Sequence, residues 1–487
     1  MDAGDERLRS TSATALPTGL ELSTPALTLR RRSFLQVGAL GLAGLGVGGW
    51  SLDQLLRTEA CAAALDPAVV RGKSVVFLFL HGGPSQIETF DPKGDAPVEI
   101  RSATGEVSTR LPGITFGGTL PKLAGLADRL TVVRSFVAGN GNHDIKPIVG
   151  PATGQANLGS IYARLAGGNN PNSGMPTNVA LFPRAVDPDA GPEQNNFGRF
   201  DATGLLGSAV APFVPGGNGE LQKAMKLALP RERFDDRRSL MTALDGARRS
   251  FESNDAQSAL DAYQRQAFET ILGGVSEAFD LQREDPRLIA RYDTAPLVRP
   301  DQIDKKWTNY KHYVDHNRTL GKLMLMARRL CEAGTRFVTV TTNFVWDNHA
   351  DQNNAGAVEG MRYCSVALDH AVSAFLEDVN DRGLSDKILL VVVGEMGRTP
   401  RINARGGRDH WGGLAPLLLA GGGLPMGRVV GQSTRDGGGP LSEPITIPHL
   451  VSTIFHTLFD IPRLRLRANI PAEAARVIFA SDPIPGL

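Results

Sequence analysis

Cysteine is scarce in this chain of 487 residues, with three in all, at positions 61, 331 and 364. There is no CxxC, which excludes a thiolate metal cluster. Net charge is nearly absent too. With 52 Lys+Arg against 51 Asp+Glu the balance is +1, so there is no electrostatic footprint for nucleic acid and no acidic tail. Long apolar runs are missing. A permanent membrane span needs about 20 strongly apolar residues, and the nearest stretch, VGALGLAGLGVGG, is shorter and diluted by glycine. No GxSxG elbow occurs, which argues against an α/β-hydrolase esterase. The turn-rich GGGLPMGR lacks the Lys-Ser/Thr of a phosphate-binding P-loop.

What is present suits a loop-rich α/β protein. Hydrophobic residues make up 41% and charged residues 21%, enough for a packed core, and 55 Gly and 31 Pro supply turns. The first 29 residues are polar. Arg30-Arg31-Arg32-Ser33-Phe34-Leu35 then precedes the mild apolar stretch, the pattern of a twin-arginine export signal, and Ala60-Cys61-Ala62 offers small residues for cleavage. Residues 1–64 are therefore expected to be tail and signal, with 70–487 as one domain. Export to the periplasm, cell envelope or medium through the twin-arginine machinery is the matching expectation. Cys331 and Cys364 would then either pair or remain buried single thiols.

Short apolar, β-branched runs read as buried strands at Val75–Leu80, Leu130–Val133, Asn178–Phe182, Arg336–Thr342, Lys387–Val393 and Pro416–Ala420. Helical patterns occupy about 218–334, ending at Gly334 as a C-cap, then 360–383 and 447–459. Strands that are apolar throughout and alternate with helices predict a mostly parallel central sheet flanked by helices on both faces. The stretch 218–330 reads as a helical insertion.

In such sheets ligands bind beyond the carboxyl ends of the strands. Those ends carry His81; then Asn142, His143 and Asp144; then Asp347 and His349; then Glu395 and Arg398, followed by Asp409 and His410. Asp, Glu and neutral His are the donor set of Zn, Mn or a similar divalent ion. Two such ions about 4 Å apart would clamp a phosphoryl or sulfuryl transfer. A purely structural alternative pairs Arg398 with Glu395 and Arg408 with Asp409. His312 and His316, spaced i, i+4, are read as a solvated helix face, and Asp369-His370 as a helix-face pair.

The segments HGGPSQIETFDPK, GNGNHD, LCEAGTRFVTV, WDNH, GEMGRTPRI and GRDHWGG, in that order behind a twin-arginine signal, resemble the exported bacterial family called domain of unknown function 1501. That family in turn resembles the alkaline phosphatase/sulfatase superfamily. The resemblance implies a mostly parallel sheet with metal ligands at its strand ends. Carried over, it makes Asp347 and His349 the Asp…His pair of one metal, and puts Glu395 where an Asp-His pair follows a strand. His410, with Asp409, takes the last His position. His81 replaces the Asp that ends the first strand, and His143 and Asp144 lie where the nucleophile segment would be, ahead of Thr153-Gly154.

That segment offers no Ser, Thr or Cys nucleophile. Either water attacks with the help of one metal, or the fold binds without hydrolysing. The resulting expectation is an exported metal-dependent hydrolase of phosphate or sulfate esters, acting on a small anionic ester or a sulfated or phosphorylated polymer. Asp347, His349, Glu395 and His410, with Asp409 and His81, are its candidate ligands. Arg398 and Asn142 would hold the substrate, and His143 would be general acid or base. The rival is a non-catalytic envelope or extracellular binding protein with the same fold.

Overall fold

The structure is a computed structural model that describes residues 68–216 and 275–487. The twin-arginine segment and the 218–274 part of the expected helical insertion lie outside those residues. The described remainder of the insertion is helical in pieces, at Val275–Ala278, Pro286–Tyr292 and the start of a long helix at Tyr310. Among the described residues no helix is long and apolar enough to cross a membrane.

The core is a seven-stranded sheet. In chain order its strands are β1 (Ser74–Phe79), β2 (Thr131–Val133), β3 (Asn178–Leu181), β4 (Phe337–Thr341), β5 (Ile388–Val393), β6 (Leu417–Gly421) and β7 (Arg428–Val430). Their spatial order is β7-β2-β6-β5-β1-β4-β3. Every pairing is parallel except those of β6, which runs antiparallel to both β5 and β2. The expected mostly parallel sheet is present, and the six expected strands all appear. The direction of β6 could not be read from a run such as LLLA, and the short edge strand β7 was not expected.

Each face of the sheet is buried by alternate side chains, as the two-residue period of a strand requires. Val76 and Leu78 of β1 pack with the helices α2 (Tyr310–Ala333) and α3 (Ala357–Asp381). Val75, Phe77 and Phe79 pack on the other side with α1 (Leu158–Ala166) and α4 (Ile447–Leu458). This double cover is why β1 and β5 read as unbroken apolar runs. Gly334 ends α2 in the left-handed conformation, as expected of a C-cap.

His316 is not on a solvated face. It is 1% exposed, with Nδ1 2.8 Å from the Thr342 hydroxyl and Nε2 2.9 Å from the Cys364 carbonyl. The carbonyl can only accept, so Nε2 carries the proton and Nδ1 accepts from Thr342. Asp369, likewise, is no surface partner of its neighbour. Its carboxylate caps the short helix Pro121–Gly125, accepting from the backbone N–H groups of Lys122 and Leu123. Cys331 and Cys364 are both buried and unpaired.

Burial pushes the His316 imidazole down to about 4. The folded chain therefore stays neutral there while the unfolded chain takes up a proton below about 6.5. Stability from this residue is fully present above that pH and declines as pH falls from 6.5 towards 4, by up to about 1.4 kcal/mol per pH unit. Chemical denaturation across that range should show a shallower acid decline for His316→Gln than for the wild type.

Candidate metal centre

The carboxyl edge of the sheet gathers the polar residues. β1 leads into His81 and Gly82, β4 into Asp347 and His349, and β5 directly into Glu395. A longer loop after β2 brings Asn142 and His143. His410 arrives differently, from a two-residue ribbon in which it pairs with Arg398 and Trp411 pairs with Gly397. That ribbon precedes β6. Because β6 is antiparallel, its entrance lies on the same edge as its neighbours' exits.

Close backbone approach makes this possible. Gly82 has φ +119°, and a Cβ there would meet the Trp346 and Asp347 nitrogens at 2.7 Å. At Gly360 in α3 a Cβ would meet the Asn348 side chain at 2.3 Å, so the glycine lets the helix press against the Asp347 loop.

One carboxylate oxygen is the focus. Asp347 Oδ1 lies 3.4 Å from His143 Nε2, 3.0 Å from His349 Nε2 and 3.3 Å from His410 Nε2. These four ligand atoms all fall within 4.8 Å of one another. The carboxylate is nearly buried, at 9% exposure. Its other oxygen accepts from the Asn354 amide at 3.0 Å. Burial alone would raise the Asp347 pKa. The imidazoles, wherever their Nε2 atoms are protonated, and the Arg398 guanidinium outweigh it and hold the carboxyl well below the usual range.

Two of the imidazoles are backed by carboxylates. His143 Nδ1 is 3.0 Å from Glu395 Oε1, and His349 Nδ1 is 3.1 Å from Asp409 Oδ1. Glu395 is held by the Gly82 N–H at 2.9 Å, and Asp409 by the Asn403 amide at 3.1 Å. A carboxylate behind Nδ1 keeps the proton on that nitrogen and leaves the Nε2 lone pair free. Lone pairs of two fixed imidazoles then face a carboxylate oxygen, and a third imidazole joins them. An assembly of acceptors directed at one point is satisfied by a cation. The donor set of three imidazoles and one carboxylate suits Zn, Mn or a related divalent ion. The residues therefore fit a metal.

His143 sits between opposing influences. Burial lowers its pKa, but Asp347 and Glu395 together raise it above the ordinary value. For His410 burial dominates and its pKa falls, opposed by Asp347. Asp409 is depressed, because the Asn403 and His349 contacts outweigh its partial burial.

The structure brings together His143, Asp347, His349 and His410, with Glu395 and Asp409 one step behind them. His81 is placed elsewhere. It is buried, its Nε2 has no hydrogen-bond partner, and its ring lies edge-on to Phe344 and Phe197 at 5.0 and 5.5 Å. Burial pushes its pKa down to about 4. Asn142 stands exposed on the rim, and Asp144 pairs with Lys146 at 2.8 Å. Thr153 closes a local turn with Gly150.

Neither of the structural pairs Arg398–Glu395 and Arg408–Asp409 forms. Arg398 is 1% exposed and pairs with Asp347 Oδ1 at 2.6 Å. Its other donors go to the carbonyls of Gly82, Gly83, Trp346 and Arg408. Arg408 pairs with Glu88 at 2.7 Å.

Three residues of the site carried no sequence signal. Asn354 orients Asp347 from a plain QNNAG turn. Phe197 and Phe344 stack at 4.8 Å and wall His143, at 5.1 and 4.8 Å from its ring. Both belong to loops without hydrophobic period.

Asp409→Asn should weaken divalent-ion affinity by roughly 10–100-fold, the range for an outer partner of a ligating histidine. The fold should be intact, because Asp409 is half exposed. Competition with a chelating dye measures the first, and circular dichroism the second.

No curated protein matches the chain. Among solved structures, similarity is found to a sulfatase from Pseudoalteromonas sp., at 13% identity over 80% of this chain and 72% of that one, with a TM-score of 0.31. A lipoteichoic acid synthase from Listeria monocytogenes is 9% identical over 77% and 68% of the two chains, with a TM-score of 0.29. A phosphonate monoester hydrolase from Silicibacter pomeroyi is 11% identical over 79% and 73%, with a TM-score of 0.28. At these scores the likeness carries no argument about what this chain does. The family model described as Protein of unknown function (DUF1501) matches residues 72–465. The chain belongs to that family, DUF1501.

Proposed function

We propose that the protein is a metal-dependent hydrolase of phosphate or sulfate esters, exported by the twin-arginine route. The observation that carries the reading is the convergence of three imidazole Nε2 atoms on one buried carboxylate oxygen at the carboxyl edge of the sheet. His143, Asp347, His349 and His410 would hold a divalent ion, probed first as Zn or Mn. When bound, the ion supplies Lewis acidity and brings the pKa of a coordinated water towards about 7.

The chain's own residues do the rest. Glu395 and Asp409 orient His143 and His349 through Nδ1. Phe197 and Phe344 close one side against water. His410, the most exposed of the four, marks the open side where an ester would enter. Arg398 keeps Asp347 ionised and in place. With its donors committed to the protein, it is not the group that holds the substrate. His143 is assigned to the ion rather than to proton transfer, because its Nε2 faces the same oxygen as the other two imidazoles.

The cluster contains no hydroxyl or thiol side chain, so attack by water is the reaction it supports. The same observation favours a second reading, a non-catalytic extracellular or envelope protein that binds an anionic polymer through the metal. The metal-loaded full-length protein, assayed with aryl phosphate and aryl sulfate esters beside His349→Ala, separates the two. Turnover lost in the variant supports hydrolysis. A loaded wild type that turns over no ester supports the binding protein.

A further inference from the structure

We infer that the centre holds one divalent ion, not two, and that the guanidinium of Arg398 is its permanent second cation. The inference rests on the proposed metal site but goes beyond it.

The guanidinium already occupies a cation site. It is buried and surrounded by oxygens: the carbonyls of Gly82, Gly83, Trp346 and Arg408, and Asp347 Oδ1 at 2.6 Å. The carbonyls of 82 and 83 follow β1, that of 346 follows β4, and that of 408 leads into the His410 ribbon. One positive group thus ties together three of the segments that build the site. A metal ion in that cage would have to displace a side chain that is 1% exposed and already bonded to these five oxygens.

At Asp347 a second ion would have to compete with groups already bound to both oxygens. Oδ1 serves both the imidazole side and Arg398, and Oδ2 is taken by the Asn354 amide. Glu395 is turned towards the Gly82 N–H and His143 Nδ1, with Oε1 shared between them and Oε2 also 3.2 Å from Gly82 N. His81, a buried histidine outside the cluster, faces phenylalanine rings.

The charges agree. Asp347, Glu395 and Asp409 bring three negative charges and Arg398 one positive, a sum of −3 + 1 = −2. One divalent ion neutralises this set. Two would leave an excess of +2 beside the buried Asp347 and Arg398, where uncompensated charge is strongly disfavoured.

The test uses the full wild-type chain, so no variant's folding intervenes. Crystals grown with excess Zn are measured at the Zn edge, and bound Zn per chain is counted in solution by mass spectrometry. The expected result is one anomalous peak bonded to His143, Asp347, His349 and His410. Two peaks in this cluster, about 4 Å apart as in two-metal sites, would overturn the inference while leaving the metal site itself standing. An empty cluster in excess Zn would overturn both.

Discussion

Asp347→Ala is expected to have the largest effect of any single change in the site: loss of the ion, loss of turnover and a folding defect. Among the described residues the carboxylate is the one group that touches all three imidazoles, so its removal should cost more affinity than the roughly 10–100-fold expected for an outer partner such as Asp409. The folding defect comes from behind. Arg398 is 1% exposed and, among the described residues, its only carboxylate partner is Asp347. Removing one member of a buried ion pair leaves a buried charge uncompensated, typically at about 3–5 kcal/mol. Asp347→Asn keeps the shape and the possible bond to Asn354, so its defect should be smaller in stability while metal binding is still lost. Urea denaturation and metal titration of the two variants side by side measure both effects. Equal stability of Asp347→Ala and wild type would contradict the coupling to Arg398.

Glu88→Ala should destabilise the protein on a similar scale without touching the site directly. Glu88 and Arg408 are each 1% exposed. Glu88 Oε1 accepts from Arg408 Nε and Nη2 at 2.9 and 2.7 Å, and Ser102 donates to Oε2 at 2.7 Å. Arg408 also donates to the carbonyls of Ile100, Arg101, Thr399 and Pro400. The pair is therefore the clamp between the 85–104 loop and the segment that carries Asp409 and His410. Its loss should cost about 3–5 kcal/mol in urea denaturation. Replacing both members by apolar residues should recover only part of this, because the four carbonyls would lose their donor. If the folded fraction of Glu88→Ala keeps its ion, the clamp is structural. The account expects affinity reduced but not abolished.

These two variants bear on how far the sequence could be read. The strands were legible because a sheet covered on both faces demands unbroken apolar runs, and VVFLFL and ILLVVV satisfy it. The place of the site followed, since such a sheet presents its functional groups where strands end. What the sequence did not reveal was which atoms meet. Glu395 and Asp409 have the chemistry of ligands. They sit behind His143 and His349 because Gly82, far away in the chain, holds Glu395 there and Asn403, six residues upstream, holds Asp409. Arg398 could have paired with Glu395 three residues away. Instead a carbonyl cage built from separate loops directs it to Asp347. The i, i+4 spacing of His312 and His316 says nothing about which helix face is covered. Here α3 lies against His316 and supplies the Cys364 carbonyl.

The central claim is that His143, Asp347, His349 and His410 bind one divalent metal ion. Equilibrium titration of Zn into metal-stripped full-length wild type and His349→Ala, both checked for native circular dichroism, tests it most directly. The account predicts saturable binding to the wild type and a loss of at least about 100-fold in affinity in the variant. A folded wild type that binds no Zn, or a variant that binds it equally well, would contradict the account.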